Sequence, residues 1–215
     1  MKEFLKKDFI LICDDALNKE ECDSLIDLYE DCSKIGTVKS RVEAENTDST
    51  LKADGAIDVF GNVVCPGDSR TLHFTETKFG NLIMDKIYEA CREFYTPKWP
   101  TLPVSSMAGF PWKIQKTSKG EGYHVWHAEA SLEQCTRTLV WTFYLSDAEE
   151  DKGGETQFLH YPHTCVPKVG RLMIFPAYFT HAHRGNIYWG HNPKYIATGW
   201  LHYHPNSPQI KEDKE

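Results

Sequence analysis

From about residue 110 the chain breaks into short runs rich in Thr, Val, Ile, Tyr, Phe and Trp: 112–117, 123–130, 135–146, 155–161, 171–176, 179–184 and 194–204. Gly, Pro, Asp or Asn separates them. Branched and aromatic side chains suit a pleated, half-buried surface, and the residues between them are the ones turns demand. Many short strands thus follow one another. They predict a mainly β fold with supporting helices, a sandwich or jelly roll.

The first hundred residues read differently. A strand is expected over 7–13. A helix follows, with Asn18 and Glu21 three positions apart as a capping pair and Cys22, Leu25, Ile26, Tyr29 and Cys32 on one face. Residues 36–73 are polar and irregular, with turn signals at Asp54-Gly55, Gly61-Asn62 and Pro66-Gly67-Asp68 and a hairpin expected around Gly61-Asn62. Long loops of this kind often serve as lids. A second helix is expected over 77–94, stopped by Pro97 and Pro100. The whole reads as one domain: a supporting region over 1–109, a β core over 110–205 and a charged tail over 206–215.

The bulk numbers exclude some classes of function. A net charge of −7 at pH 7 argues against a nucleic-acid partner, which usually needs a basic face, though it leaves room for a local basic patch. The seven cysteines form no C-x-x-C pair and mostly occupy apolar positions, as reduced core thiols do. The apolar run near the N-terminus, Phe9 to Cys13, is too short for a secretion signal, and no stretch reaches membrane-helix length. A soluble, cytoplasmic protein is expected.

Within the β region, His127-Ala128-Glu129 places an imidazole and a carboxylate two positions apart. On a strand both point to one side. A second histidine from a neighbouring strand would complete two imidazoles and one carboxylate on one face of an ion, the ligand set of non-haem Fe(II) oxygenases. His181 and His183 are both available, and strand parity does not separate them. His124 falls on the opposite face. Lys194 begins a run in which Ile196, Thr198 and Trp200 share its side; an inward lysine there requires an anion.

Five motifs occur in order: His127-x-Glu129; Arg137 to Tyr144 with Leu-Ser-Asp after it; Gly153-Gly154-Glu155-Thr156-x-Phe158; Pro167-x-x-Gly170 through Phe175-Pro176 to His181; and Lys194 through Thr198 to Trp200. In this order, residues 110–203 resemble the prolyl-4-hydroxylase-type branch of the Fe(II)/2-oxoglutarate oxygenases. The resemblance implies a double-stranded β-helix with His127, Glu129 and His181 as iron ligands. It implies Lys194 as the clamp on the distal carboxylate of 2-oxoglutarate, with Tyr144, Thr156 and Thr198 as further cosubstrate contacts. Arg137 and Trp200 would lie close to the reacting centre. Two departures stand out. The acid is Glu129 where the family more often has aspartate. His181 precedes Lys194 by thirteen positions, more than the family usually shows.

The implied activity is hydroxylation of an unactivated C–H bond on a prolyl residue of a peptide or protein. It would use Fe(II), 2-oxoglutarate and dioxygen, with ascorbate as reductant. Three alternatives stay open: a hydroxylase of a free amino acid or other small molecule, a non-catalytic metal-binding jelly roll, and a zinc hydrolase. The last two leave Lys194 unexplained.

Overall fold

The structure is a computed structural model that describes residues 1–40, 48–60, 63–65, 75–76, 78–102, 104, 107–109 and 111–203. The Gly61-Asn62 turn, much of the polar stretch between 41 and 74, His73, His204 and the charged tail lie outside them. The strands are β1 (Lys2–Lys7), β2 (Ile10–Asp14), β3 (Lys39–Ser40), β4 (Lys52–Ala53), β5 (Gly55–Phe60), β6 (Val63–Cys65), β7 (Thr75–Glu76), β8 (Met107–Ala108), β9 (Trp112–Thr117), β10 (Gly122–His127), β11 (Arg137–Tyr144), β12 (Thr156–Phe158), β13 (Thr164–Cys165), β14 (Arg171–Pro176), β15 (His183–Gly185) and β16 (Lys194–Tyr203). Among the described residues, helices α1 (Lys19–Lys34) and α2 (Phe79–Ala90) and the single-turn α3 (Thr96–Lys98) precede the β core.

The strands form two antiparallel sheets. The larger runs β1-β2-β14-β11-β16-β9-β5-β6-β7, with β3 and β8 as side branches; the smaller runs β13-β12-β15-β10-β4. Together they make the double-stranded β-helix, with a cavity between the sheets.

Side-chain alternation explains the layering. On β11, Leu139, Trp141 and Phe143 face one core cluster, while Val140 and Tyr144 face another. Strand β14 repeats the pattern, with Leu172 and Ile174 against Met173 and Phe175. The first face is covered by α1 and α2: Leu25 and Tyr29 of α1, and Ile83 and Ile87 of α2, join that cluster. The second face looks onto the smaller sheet. Gly199 of β16 sits where a Cβ would meet Trp141 at 2.6 Å and Trp112 at 2.9 Å, so a side chain there would displace two buried indoles.

The helices match the expected pattern. Asn18 Oδ1 accepts from the Glu21 amide, and Glu21 accepts from the Asn18 amide, a complete capping box. Helix α2 begins at Phe79 and continues as a π-helical turn over Cys91–Tyr95. Strand β5 pairs with β6 around the expected hairpin, Phe60 opposite Val63.

Two expectations are corrected. The single strand over 7–13 is a hairpin of β1 and β2, turning at Asp8 and Phe9. Both have positive φ, 52° and 60°, without the glycine or asparagine that usually advertises such a turn. The strand over 179–184 is also broken: Phe179–His181 is a 3₁₀ turn, and β15 starts only at His183. Six described cysteines are free; all but Cys135 are buried.

Candidate metal centre and anion pocket

Strands β10 and β15 are neighbours in the smaller sheet, and their register sets His127 directly opposite His183. Glu129 follows the end of β10, where its amide and that of Ala130 both donate to the Ala177 carbonyl beyond β14. His127, Glu129 and His183 therefore converge, each offering one ligand atom, with all three atoms within 4.8 Å of one another. His127 Nε2 lies 3.4 Å, and His183 Nε2 3.9 Å, from Glu129 Oε1.

Hydrogen bonds behind the donors set their direction. His127 Nδ1 donates to the Val125 carbonyl at 3.0 Å, and His183 Nδ1 to the His181 carbonyl at 3.0 Å. A carbonyl can only accept, so each ring keeps its proton on Nδ1 and turns the Nε2 lone pair inward. Burial, together with the neighbouring His127, lowers His183 to about 4, so it is neutral at physiological pH. For Glu129, burial raises the carboxyl, but the interactions with His127, His183 and the Arg137 guanidinium outweigh it and bring it to about 2. His183 is thus neutral and Glu129 ionised, as metal ligands must be.

The structure does not bring His181 to this group, which corrects the assignment implied by the resemblance. His181 ends the 3₁₀ turn. Its Nε2 donates to the Asp8 carbonyl at 2.8 Å, its Nδ1 bonds Thr180 at 3.0 Å, and its ring stacks on Tyr161 at 4.8 Å. The turn uses up the residues that an extended strand would have spent reaching the centre, so His183 arrives there instead.

Glu129 uses its two oxygens differently. Oε1 faces the histidines. Oε2 accepts from Arg137 Nη1 at 3.1 Å and from Trp200 Nε1 at 3.1 Å. The Arg137 guanidinium lies 3.5 Å from the centre of the Trp200 ring. Arg137 and Trp200 thus meet at the acid, from β11 and β16.

A cavity of about 360 Å³ opens beside this group, and Lys194, Tyr144, Thr156, Thr142 and Thr198 line it. Lys194 is 6% exposed, and its ammonium donates to the Gly154 carbonyl at 2.8 Å, a neutral acceptor. Burial lowers the amine to about 8, with Asp54 and Glu155 opposing. Gly154, at φ +83°, has room for no Cβ: one would lie 2.9 Å from Tyr188 and 3.4 Å from Lys194. Tyr144 and Thr156 share a hydrogen bond of 2.7 Å. Thr198 donates to the Trp141 carbonyl and lies 3.0 Å from Thr142. A buried cation in a cavity, with three metal-competent donors on another wall, suits a divalent ion chelated by one end of a dicarboxylate whose other end meets the amine.

Other aromatic and histidine positions fall into place. Trp112 is buried in the helix-side core, while Trp126 and Trp189 are partly exposed. His163 bonds the Asp8 carboxylate, His191 contacts Glu149, and His202 bonds Thr136. Sequence reasoning missed Tyr123, whose ring stacks on His127 at 3.6 Å, and Lys52, whose ammonium lies over Tyr123 at 4.6 Å. Tyr123 shares strand parity with His127 and could have been found that way. Lys52 stands in an irregular polar stretch with no pattern to mark it.

Residues 112–202 match the family model of the 2OG-Fe(II) oxygenase superfamily. Comparison with curated proteins gives no match. Solved structures share the fold. A viral collagen prolyl hydroxylase from Paramecium bursaria Chlorella virus-1, in complex with 2OG, superposes with a TM-score of 0.59 at 19% identity, over 92% of this chain and 97% of that one. A Pseudomonas putida prolyl-4-hydroxylase gives 0.59 at 14%, over 91% and 93%. A Trichoplax adhaerens prolyl hydroxylase, in complex with a hypoxia inducible factor oxygen degradation domain peptide fragment, gives 0.65 at 14%, over 92% and 84%.

Proposed function

We propose, on the match of residues 112–202 to the 2OG-Fe(II) oxygenase superfamily, that this protein is a dioxygenase that hydroxylates a prolyl residue of a peptide or protein. The family implies Fe(II), 2-oxoglutarate and dioxygen as the reaction's partners. The observation that carries the reading is the convergence of His127, Glu129 and His183 on one side of a cavity whose opposite wall holds the buried amine of Lys194.

His127, Glu129 and His183 would hold the iron, and Lys194 the distal carboxylate of 2-oxoglutarate. Bound together, these groups supply dioxygen activation coupled to oxidative decarboxylation, which yields succinate and CO2. The chain's own residues do the rest. Arg137 and Trp200 fix one oxygen of Glu129, so that a single oxygen is presented. Tyr144 and Thr156 present hydroxyls beside Lys194. Val140, Met173, Phe175 and Ile196 wall the cavity with apolar surface, which limits water near the reacting carbon. The prolyl assignment rests on the prolyl hydroxylase fold shared with the solved structures; a free amino acid is the second reading, favoured by the cavity's excess of cations.

The test is direct. Purified protein with Fe(II), ascorbate and 2-oxoglutarate is given proline peptides and free amino acids, and succinate and a mass gain of one oxygen are measured. Succinate matched one to one by oxygen gain is expected. No succinate with any candidate would overturn the oxygenase reading.

A further inference from the structure

We propose that the substrate carries a carboxylate on, or beside, the residue that is hydroxylated, and that Lys52 is the residue that recognises it. The proposal rests on the oxygenase reading and deepens it.

Lys52 is held by the strand that brings His127. On β4 it lies directly opposite Tyr123 of β10, and the adjacent Leu51 carbonyl accepts from the His124 amide at 2.9 Å. The Lys52 ammonium, the Tyr123 ring and the His127 ring follow one another, 4.6 Å and then 3.6 Å apart. Lys52 is only 9% exposed and lines the same cavity as the metal donors and Lys194. Among the described residues no carboxylate takes its amine in an ion pair. The face of a tyrosine compensates a buried ammonium only in part.

The charge of the cavity points the same way. Among the described residues its wall carries Lys52, Lys113, Arg137 and Lys194 against Asp54 and Glu129. Arg137 is set against Glu129. A divalent ion and a dianionic cosubstrate cancel. Lys52 and Lys194 remain on this wall, in a chain whose overall charge is −7. This local reversal of sign favours an anion as the remaining ligand. Lys194 serves the cosubstrate; Lys52, on the side of His127, is placed for the substrate.

The carboxylate has two sources: the α-carboxylate of a free amino acid, or an acidic side chain beside proline in a peptide. The experiment separates them. Binding of L-proline, L-prolinamide, a peptide with glutamate next to proline, and its glutamine counterpart is titrated by calorimetry into the Mn(II)–2-oxoglutarate complex. Succinate release is measured in parallel with Fe(II). At least one acid should exceed its neutral partner by about tenfold or more in both readouts, and which acid does so identifies the source. Lys52→Gln should collapse that ratio to about one while leaving the 2-oxoglutarate affinity within about twofold, and Lys52→Arg should restore most of it. Melting temperatures report whether each variant folds.

Equal binding of acid and neutral partners would overturn the proposal, as would failure of every acid to bind. A loss of 2-oxoglutarate affinity in Lys52→Gln as large as in Lys194→Ala would also overturn it, by assigning Lys52 to the cosubstrate. In all three cases, Mn(II)-dependent binding of 2-oxoglutarate by the wild-type protein keeps the oxygenase reading. Absence of that binding removes the oxygenase reading itself.

Discussion

The indole of Trp200 donates to Glu129 Oε2 at 3.1 Å, so a residue near the end of β16 sets which oxygen of the acid faces the two histidines. Trp200→Phe keeps the ring and its place under Arg137 but removes the donor. Loss of a hydrogen bond behind a metal ligand typically lowers metal affinity by about 10–100-fold. Calorimetric titration with Mn(II) should show a decrease in this range, and an unchanged affinity would show that Arg137 alone suffices to hold the acid.

The two histidines of the 181–183 segment should separate cleanly. His183→Ala removes a donor and should abolish Mn(II) binding. His181→Ala should retain the site but lose the hydrogen bond to the Asp8 carbonyl and the stack on Tyr161, at about 1–2 kcal/mol of stability. Paired metal titrations and urea melts would show it. The opposite pattern would return the ligand role to His181.

That pair also shows where the sequence was legible and where it was not. Two-residue parity identified His127 and Glu129, which share a side although β10 is irregular between Tyr123 and His127 and ends at His127. It said nothing about His181 against His183, since the turn between β14 and β15 interrupts the alternation on which parity depends. The spacing held a signal: from His181 to Lys194 is thirteen positions, from His183 only eleven. The β-rich core and helices α1 and α2 were legible because each carries a clear period or cap. The hairpin at Asp8 and Phe9 was not, because a bulky Phe9 disfavours positive φ and Asp8 alone is a weak turn signal. Lys52 stayed hidden because its importance comes wholly from long-range pairing with Tyr123.

Lys194 should make cosubstrate binding sensitive to alkali. Its amine is lowered to about 8 by burial, and a dicarboxylate requires the ammonium form. Below that value the ammonium dominates and affinity is at its plateau. As pH rises through about 8 the free protein loses the proton, and 2-oxoglutarate affinity should fall by up to about tenfold per pH unit. Lys194→Ala should weaken binding by about two to three decades, corresponding to about 3–5 kcal/mol, and flatten the profile. Calorimetry in the Mn(II) form between neutral and alkaline pH checks both; a wild-type profile without this decline would remove Lys194 as the clamp.

Asp14 at the end of β2 should contribute stability that acid removes. Arg171 donates to it through Nε at 2.7 Å and Nη2 at 3.3 Å, and Lys168 through Nζ at 2.8 Å. Burial raises the carboxyl, but these hydrogen bonds outweigh it and the folded-state value lies below the ordinary 3.8. The stabilisation is therefore complete above about that ordinary value and is lost as pH falls through the lowered one. Asp14→Asn should cost about 1.5–3 kcal/mol in urea unfolding at neutral pH, with the gap to wild type narrowing in strong acid. A gap independent of pH would mean that packing, not charge, is what the substitution removes.

Strand β16 carries Lys194 at its first residue and Trp200 farther along the same face, with Thr198 between them. A residue inserted between Lys194 and Trp200 would reverse the facing of one relative to the other, because side chains alternate along a strand. Either the amine would leave the cavity or the indole would let go of the acid. The grip on the ion and the reach to the cosubstrate are thus geared to one rigid shaft, and no slip in its register could preserve both.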